Sequence, residues 1–321
     1  MTSTLSPVSL DAVHAARLRL AGVVLRTPLV RLPGDDGKGE VYLKLENLQP
    51  VGSFKLRGAA NAIALAGDAI LARGVYTASA GNMAQGVAWC ARTLGVRCQV
   101  VVPDHAPNAK TDAIVRLGAE VVKVPFDVWW QTLVNHGYPG MDGYFVHPFA
   151  DDGVMAGNGT IALEIFDDLS DIDAIVVPYG GGGLACGIAA VARAVSPRTK
   201  VYAVEVETAA PLTASLAAGT LTTVTRTPTF IDGMGSNAVF GEMWPMVRSL
   251  VSGTIVVSVG QVAAAVKLLA ERSRIVAEGA GGATLAAAFA GSLDGKRTVC
   301  VISGGNIDLD KFATILRGEI P

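Results

Sequence analysis

Short runs rich in β-branched residues recur along the chain, separated by segments whose apolar residues have helical spacing. Seven of these runs are candidate strands: VYLKLEN from Val41, GVYTAS from Gly74, QVVVP from Gln99, EVVKVP from Glu120, AIVVPYG from Ala174, VYAVEVE from Val201 and VCVISGG from Val299. Strands that alternate with helices indicate a parallel α/β architecture with helices on both faces of the sheets. Ligands of open sheets bind outside the carboxyl ends of strands, so the loops after the strands are the candidate sites of chemistry.

The chain has 321 residues, enough for two modest domains or for one large domain with an elaboration. The strands and helices over 74–147 could form a small inserted domain, so we expect a large domain built from 1–73 and 148–321. Within the insert, the segment 126–145 concentrates aromatic residues with Gly and Pro. Such a segment is typical of a surface elaboration or of a lid over a pocket, and its composition does not decide between them.

Composition and charge exclude several classes of protein. Half of the residues are hydrophobic and only 17% are charged, which excludes a disordered chain and a coiled coil. The formal net charge of -2 provides no basic field for nucleic acid or for an anionic membrane, so neither partner is expected. The four cysteines lie far apart without a CxxC pair, which argues against a disulfide framework and against a zinc site.

The N-terminal segment lacks the basic and continuously apolar regions of a secretory signal, so we expect a cytoplasmic protein. This segment is predicted to form a helix from Leu10 to Leu20 that ends near Gly22. The longest uncharged stretch, 279–293, is interrupted by glycine and is shorter than the roughly 18 residues of a membrane-spanning helix. We therefore expect no membrane segment.

The loop VPYGGGGLACGIAA contains four consecutive glycines between a buried strand and a helix that is predicted to begin near Leu184. These glycines, Gly180, Gly181, Gly182 and Gly183, let backbone amides approach an anion at a helix N-terminus, which favours a phosphate group. A dinucleotide is the alternative ligand, because Gly180, Gly182 and Ala185 also fit the G-x-G-x-x-A spacing and Glu205 or Glu207 ends the next strand. That alternative predicts a nicotinamide-dependent oxidoreductase.

The segment LENLQPVGSFKLRGAANAIALAG runs from a strand through a Pro-Gly turn into a helix, with Ser53 as the predicted N-cap. Lys55 then lies in the first helical turn, where the helix dipole and desolvation would lower the pKa of its amine. An amine of this kind is a nucleophile suited to Schiff-base formation. The alternative is an ordinary solvated lysine, but Phe54 and small residues beside Lys55 favour the functional interpretation.

Two more loops carry polar groups at the ends of predicted strands. YTASAGNMAQG offers the hydroxyl of Ser79, the backbone of Gly81 and the amide of Asn82 in one arc that suits a carboxylate, although an ordinary N-cap explains it equally well. VISGGNIDLDKF places Ser303 directly after an apolar strand, and alone this loop is typical of a turn.

Together, SFKLRGA, SAGNMAQG, GGGGL and SGGN occur in the order and approximate spacing of the fold-type II pyridoxal phosphate enzymes. The chain resembles the threonine/serine dehydratase and serine racemase family of that group over nearly its whole length. The resemblance implies a two-lobed α/β fold like that of the tryptophan synthase β subunit, in which each lobe is an open, mostly parallel sheet flanked by helices. It also implies a homodimer. The chain ends soon after SGGN, so a C-terminal regulatory domain is not expected.

The resemblance assigns roles to individual residues around pyridoxal 5'-phosphate. It implies that Lys55 is catalytic and forms the Schiff base with the cofactor, and that Ser303 meets the pyridine nitrogen. Asn82 would contact the ring hydroxyl and Phe54 would pack against the ring. The phosphate would be held by Gly180, Gly181, Gly182, Gly183 and Leu184.

Glu278 begins a predicted glycine-rich loop that lies beside the ring or exposes its carboxylate to solvent. The substrate would lie against SAGNM, which consists of Ser79, Ala80, Gly81, Asn82 and Met83.

The reaction implied is removal of water from a β-hydroxy-α-amino acid, such as threonine, serine or 3-hydroxyaspartate, to give a 2-oxo acid and ammonia. Lys55 would take the α-proton as general base. A neutral Ser303 does not hold the pyridine nitrogen protonated, which favours elimination over transamination. Racemisation and β-replacement are alternatives on the same fold, and a binding module that has lost activity is a non-enzymatic one.

The chain departs from the family at three positions. Met83 stands where many relatives have histidine, which puts the usual specificity in question. Ala80 replaces the serine that racemases use as an acid/base, and a methyl group does not transfer protons, so racemisation should be weak or absent. Pro211 stands where the racemase metal site needs a second carboxylate, so we expect no metal beyond a weak site at Glu205. His147, in HPF, is interpreted as a packing or hydrogen-bonding residue.

Overall fold

The structure is a computed structural model that describes residues 5–34, 39–293 and 295–321. Its strands form two sheets, one of six strands and one of four. In chain order the strands are β1 (Leu29–Arg31), β2 (Val41–Lys44), β3 (Val75–Ala78), β4 (Cys98–Pro103), β5 (Glu120–Val124), β6 (Tyr144–Phe145), β7 (Ala174–Pro178), β8 (Lys200–Val206), β9 (Gly253–Val257) and β10 (Thr298–Val301).

Helices occupy most of the segments between the strands. They are α1 (Leu10–Leu20), α2 (Lys55–Ala66), α3 (Asp68–Leu71), α4 (Asn82–Leu94), α5 (Asn108–Arg116), α6 (Phe126–Val134), α7 (Asp152–Asp168), α8 (Gly183–Val195), α9 (Pro211–Ala218), α10 (Trp244–Leu250), α11 (Val259–Ser273), α12 (Gly279–Ala288) and α13 (Leu309–Leu316). The predicted helix from Leu10 to Leu20 is confirmed.

The six-stranded sheet has the order β1-β2-β10-β7-β8-β9. Its edge strand β1 is antiparallel to β2, and the other neighbouring pairs are parallel. Strand β7 shows why both faces are covered, because Ile175 and Val177 join one hydrophobic cluster while Ala174 and Val176 join another. Successive side chains of a strand point to opposite faces, so a continuously apolar run requires helices on both sides.

The four-stranded sheet has the order β5-β4-β3-β6 and is parallel throughout. In β4 the side chains alternate again, with Val100 and Val102 in the cluster that includes α2 and α4 residues and Val101 in the cluster shared with the larger sheet. All strands of this sheet lie within 75–145, inside the segment that the sequence predicted as an insert.

Two local predictions were wrong. The N-cap of α2 is Phe54 and not Ser53. The buried hydroxyl of Ser53 has no hydrogen-bond partner among the described residues, and its backbone forms an antiparallel bridge with Gly304. The glycine-rich segment after Glu278 is the helix α12 and not a loop. Its glycines permit close packing, since a Cβ at Gly282 would lie 2.5 Å from the side chain of Val266 in α11.

Candidate active site

The loops after β2 and β10 meet because these two strands are neighbours in the larger sheet. The backbone N–H of Phe54 donates to the carbonyl oxygen of Ser303 at 3.0 Å, and Ser53 pairs with Gly304. The SFK and SGGN motifs, far apart in sequence, therefore form one wall of a site. Ser303 is only 1% exposed within this wall.

Lys55 is the first residue of α2, and its side chain is partly buried. Its Nζ donates to the carbonyl oxygen of Pro148 at 2.6 Å and lies 5.3 Å from the centroid of the Phe54 ring. Burial lowers the pKa of the Lys55 amine to about 8, and the carboxylate of Glu278 opposes part of this shift. Near neutral pH, this lysine is therefore deprotonated far more often than a solvated one.

The glycine loop lies between β7 and the N-terminus of α8, where Gly182 has the left-handed φ of +92° that favours glycine. A Cβ at Gly181 would lie 2.2 Å from ring carbons of Phe149, and one at Gly183 would lie 2.6 Å from the Phe149 carbonyl oxygen. The dipeptide Pro148–Phe149 thus contacts the Lys55 amine through one residue and the glycine loop through the next. The amine and the loop are consequently neighbours.

The SAGN loop approaches from the smaller sheet, because Asn82 begins α4 directly after β3. Asn82 Nδ2 donates to both carboxylate oxygens of Glu278, at 2.9 and 3.1 Å, and its Oδ1 accepts from Asn306 at 2.8 Å. Ser79 Oγ accepts the backbone N–H of Gly81 at 3.2 Å. Asn82 therefore joins the two sheets at the site.

Glu278 is partly buried at the start of α12, so it is not the exposed carboxylate that the sequence left open. Desolvation raises the pKa of its carboxyl to about 7, although the hydrogen bonds from Asn82 act in the opposite direction. The site therefore holds an acid and a base that both titrate within about a pH unit of neutrality. Such perturbed pairs are concentrated at functional sites.

The other predicted site residues, Ala80, Met83 and Leu184, differ in how deeply they are buried. Ala80 is partly buried in the SAGN loop beside Ser79 and Gly81. Met83 is 1% exposed and packs in the hydrophobic cluster of α2 and α4, and Leu184 is 5% exposed in the cluster beneath the glycine loop. Their contacts with substrate or cofactor stay predictions.

A buried ion network below Lys55 was not anticipated from the sequence. The guanidinium of Arg57, two residues after Lys55, donates to both oxygens of Glu46 at 2.8 Å and to both of Glu164 at 2.7 and 2.8 Å. Lys44 completes the network by donating to Glu164 at 2.6 Å. These carboxylates raise the pKa of Arg57 and so keep it charged. The only sequence signal was charged residues inside otherwise apolar segments.

The carboxylate of Glu205 makes hydrogen bonds with a structural role. It accepts the backbone N–H groups of Leu212 and Thr213 at 2.8 and 2.7 Å, and it also accepts from the Thr213 hydroxyl. These hydrogen bonds cap the N-terminus of α9, and Glu205 is 1% exposed. It is therefore not presented to a ribose, which counts against Glu205 as the acidic residue of the dinucleotide alternative. Among the described residues, no group of three or more His, Cys, Asp or Glu side chains is placed to hold a metal ion.

The donor set fits pyridoxal phosphate. The glycine loop brings the first amides of α8, which have no acceptor within the helix, next to a lysine of lowered pKa. The hydroxyl of Tyr179, directly before the glycines, is buried without a hydrogen-bond partner among the described residues. An aldehyde with an anionic substituent requires an amine and an anion cradle side by side, and these residues provide both. The fold and site therefore define a lysine-dependent, anion-binding α/β enzyme.

The family model described as "Pyridoxal-phosphate dependent enzyme" matches residues 20–304, so the chain belongs to that family. The catabolic L-threonine dehydratase TdcB of Escherichia coli K12 is 39% identical over 317 residues, covering 96% of each chain. The crystal structure of serine racemase from Dictyostelium discoideum superposes with a TM-score of 0.86 at 33% identity, covering 94% of this chain and 100% of that one. The processed form of threonine deaminase isoform 2 from Solanum lycopersicum has a TM-score of 0.82 at 30% identity, covering 98% and 96%.

These similarities confirm the family, the fold class and the pyridoxal phosphate cofactor predicted from the sequence. The individual residue roles stay predictions. Over residues 5–34, 39–293 and 295–321, no helix combines the length and the apolar character needed to cross a membrane.

Proposed function

We propose that the protein is a pyridoxal phosphate-dependent ammonia-lyase that dehydrates a β-hydroxy-α-amino acid to a 2-oxo acid and ammonia. The observation that carries the proposal is the Lys55 amine, which is held by the Pro148 carbonyl oxygen at 2.6 Å with a pKa lowered to about 8. The relatives named as threonine dehydratase and threonine deaminase support the substrate class. Threonine, serine and 3-hydroxyaspartate are the candidate substrates.

Pyridoxal phosphate, when bound, supplies an electron sink for the α-carbon of the substrate. Lys55 would tether the cofactor, the amides of 180–184 would hold its phosphate, and Ser303 and Asn82 would contact its ring, with Phe54 beside it and Glu278 nearby. The Lys55 amine, once free, is the general base for the α-proton because about half of it is deprotonated near pH 8.

The Ser79 hydroxyl and the backbone amides of the SAGN loop would bind the α-carboxylate of the substrate, with Ala80 and Met83 lining the same loop. Loss of the β-hydroxyl as water leaves an enamine, which tautomerises to an imine. Hydrolysis of that imine gives the 2-oxo acid and ammonia, so the overall reaction removes one ammonia from each amino acid.

Borohydride reduction of the holoenzyme followed by peptide mapping tests the tether. A reduced cofactor adduct on the Lys55 peptide is expected, and Lys55→Ala should abolish both the yellow colour and turnover. Lys311→Ala is a matched control, because Lys311 is a lysine near the same face that the proposal leaves unmodified. A label on another lysine, or no label, would refute the proposal.

Racemisation is the second candidate activity, because the serine racemase of Dictyostelium shares the fold closely. Ala80 favours the lyase, since a methyl side chain transfers no proton to the second face of the α-carbon. Turnover of L-threonine, L-serine and 3-hydroxyaspartate, followed by 2-oxo acid formation and by chiral chromatography of the remaining substrate, separates the two activities.

We also propose that 74–147 forms a small domain inserted between 1–73 and 148–321. The four-stranded sheet supports this division because all its strands lie within the insert. A cytoplasmic homodimer is proposed on the family resemblance, and light scattering of the purified holoenzyme tests the dimer.

A further inference from the structure

The imidazole of His147 is buried two residues after β6, at the start of the loop that touches both halves of the candidate active site. The residue is 1% exposed, and its ring stacks on His136 with centroids 4.6 Å apart and an interplanar angle of 27°. Three more aromatic rings lie with their centroids within 6 Å of the imidazole, those of Phe145, Phe149 and Phe240. The ring is therefore fixed in orientation by its surroundings.

The hydrogen bonds of His147 define its tautomer. Nδ1 accepts the backbone N–H of Ala150 at 2.7 Å and that of Phe149 at 3.3 Å, so Nδ1 carries no proton and Nε2 does. Burial, together with the proximity of the basic groups of His136 and Lys55, lowers the pKa of His147 well below its ordinary value and keeps the ring neutral.

The backbone segment that His147 binds also contacts both Lys55 and the glycine loop. Pro148 lies between His147 and the two amides that it fixes, and the Pro148 carbonyl oxygen accepts from Lys55 Nζ. The next residue, Phe149, fills the space that side chains at Gly181 and Gly183 would need. A shift of this loop would therefore move the acceptor of the amine and the support of the glycine loop together.

We propose that His147 is a positioning residue, which uses Nδ1 as a hydrogen-bond acceptor to fix the Pro148–Phe149 backbone against Lys55 and the glycine loop. The role assigned to Lys55 rests on the proposed function. In this proposal His147 acts through the loop that it binds and takes no part in the reaction itself. An apolar ring of the same shape would fill the same space but leave both amides without an acceptor, which carries its own desolvation penalty.

Two polar substitutions separate the acceptor from simple packing. In His147→Asn, the side-chain oxygen can occupy the Nδ1 position and accept the same amides, as asparagine does in turns. In His147→Gln, the amide lies one methylene further out, near the Nε2 position. Both variants keep a polar side chain of similar size, so a difference between them reports the position of the acceptor.

The first measurement is the dissociation constant of pyridoxal phosphate from each apoprotein, by absorbance titration. The second is the pH dependence of reductive methylation of Lys55 in the cofactor-free protein, quantified by mass spectrometry of its peptide. We expect His147→Gln to weaken cofactor binding by about tenfold or more, because small displacements of a site have large effects. We expect His147→Asn to remain close to wild type.

In His147→Gln the pH midpoint of Lys55 methylation should fall, because an ammonium that loses a carbonyl acceptor is less stable. Glu278, the carboxylate that faces Lys55, is unchanged in both variants. His105→Asn is the control, since His105 is an exposed histidine that pairs with Asp104. Equal defects in the Asn and Gln variants, or wild-type behaviour of His147→Gln in both assays, would overturn the inference. Failure of the proposed function is distinguishable, because the wild-type protein would then carry no borohydride label on Lys55.

Discussion

Replacing Arg57 by methionine should destabilise the protein through charge burial as well as lost packing. The network of Lys44, Glu46, Arg57 and Glu164 is formally neutral, and the side chains of Arg57 and Glu46 are 1% and 0% exposed. Arg57→Met leaves a net charge of -1 in this buried cluster, and among the described residues the hydrogen bonds that Glu46 keeps come from the neutral side chains of Thr27 and Gln49. Removing one partner of a buried ion pair destabilises a protein by about 3–5 kcal/mol.

The assay is urea unfolding of the apoprotein, with an unchanged m-value showing that the same transition is compared. Adding Glu46→Gln to Arg57→Met removes the unpaired charge. The double variant should therefore lose less unfolding free energy than the two single variants lose together. A coupling energy of about 0.5–3 kcal/mol is expected for residues in one such network. Cofactor affinity should fall in parallel with stability, because Arg57 anchors the helix whose first residue is Lys55.

The control is Arg97→Met, which breaks the exposed Arg97–Glu120 pair and should change the stability by no more than about 1 kcal/mol. A loss of less than about 1 kcal/mol in Arg57→Met, or strict additivity with Glu46→Gln, would show that the buried charges do not depend on each other. Either result would refute the reasoning from charge burial.

Three further predictions concern the site itself. Gly181→Ala should weaken cofactor binding, because its Cβ overlaps a neighbouring aromatic ring and overpacking of this kind costs about 1–3 kcal/mol. Gly241→Ala adds a carbon with no atom within 4 Å, so it should have no effect in the same titration. Capture of pyridoxal phosphate by the apoprotein should rise with pH around a midpoint near 8, because the neutral Lys55 amine is the form that reacts. Glu278→Gln should lower this midpoint, because it removes the carboxylate that raises the pKa of Lys55. A midpoint that stays unchanged in stopped-flow absorbance would contradict this. Ala80→Ser should raise racemisation above the weak or absent level expected of wild type. Chiral chromatography that detects no increase would show that this position does not determine the lyase preference.

The fold class could be predicted because strand β7 is apolar along its whole length, and the structure buries every one of its residues, as a sheet covered on both faces requires. The strand β9 was not predicted, although it ends in the short apolar run Ile255–Val257, and only its last residue is fully buried. The N-cap of α2 was assigned to Ser53 from propensity alone, but pairing with Gly304 across the sheet draws that backbone away from the helix. Tertiary pairing of this kind leaves no local signal in the sequence.

The glycines of the loop after β7 meet two structural requirements, and the sequence indicates only one of them. From the sequence, the glycines were interpreted as allowing an anion close to backbone amides. In the structure, Gly181 and Gly183 are needed on a second account, because Phe149 occupies the positions their side chains would take. An anion on the loop would be bound by the amides, while the aromatic ring supports the loop and its chain neighbour holds the amine of Lys55. Loss of cofactor binding on substitution at Gly181 would therefore test how Phe149 supports the loop. It would not test anion binding, which depends on the backbone amides.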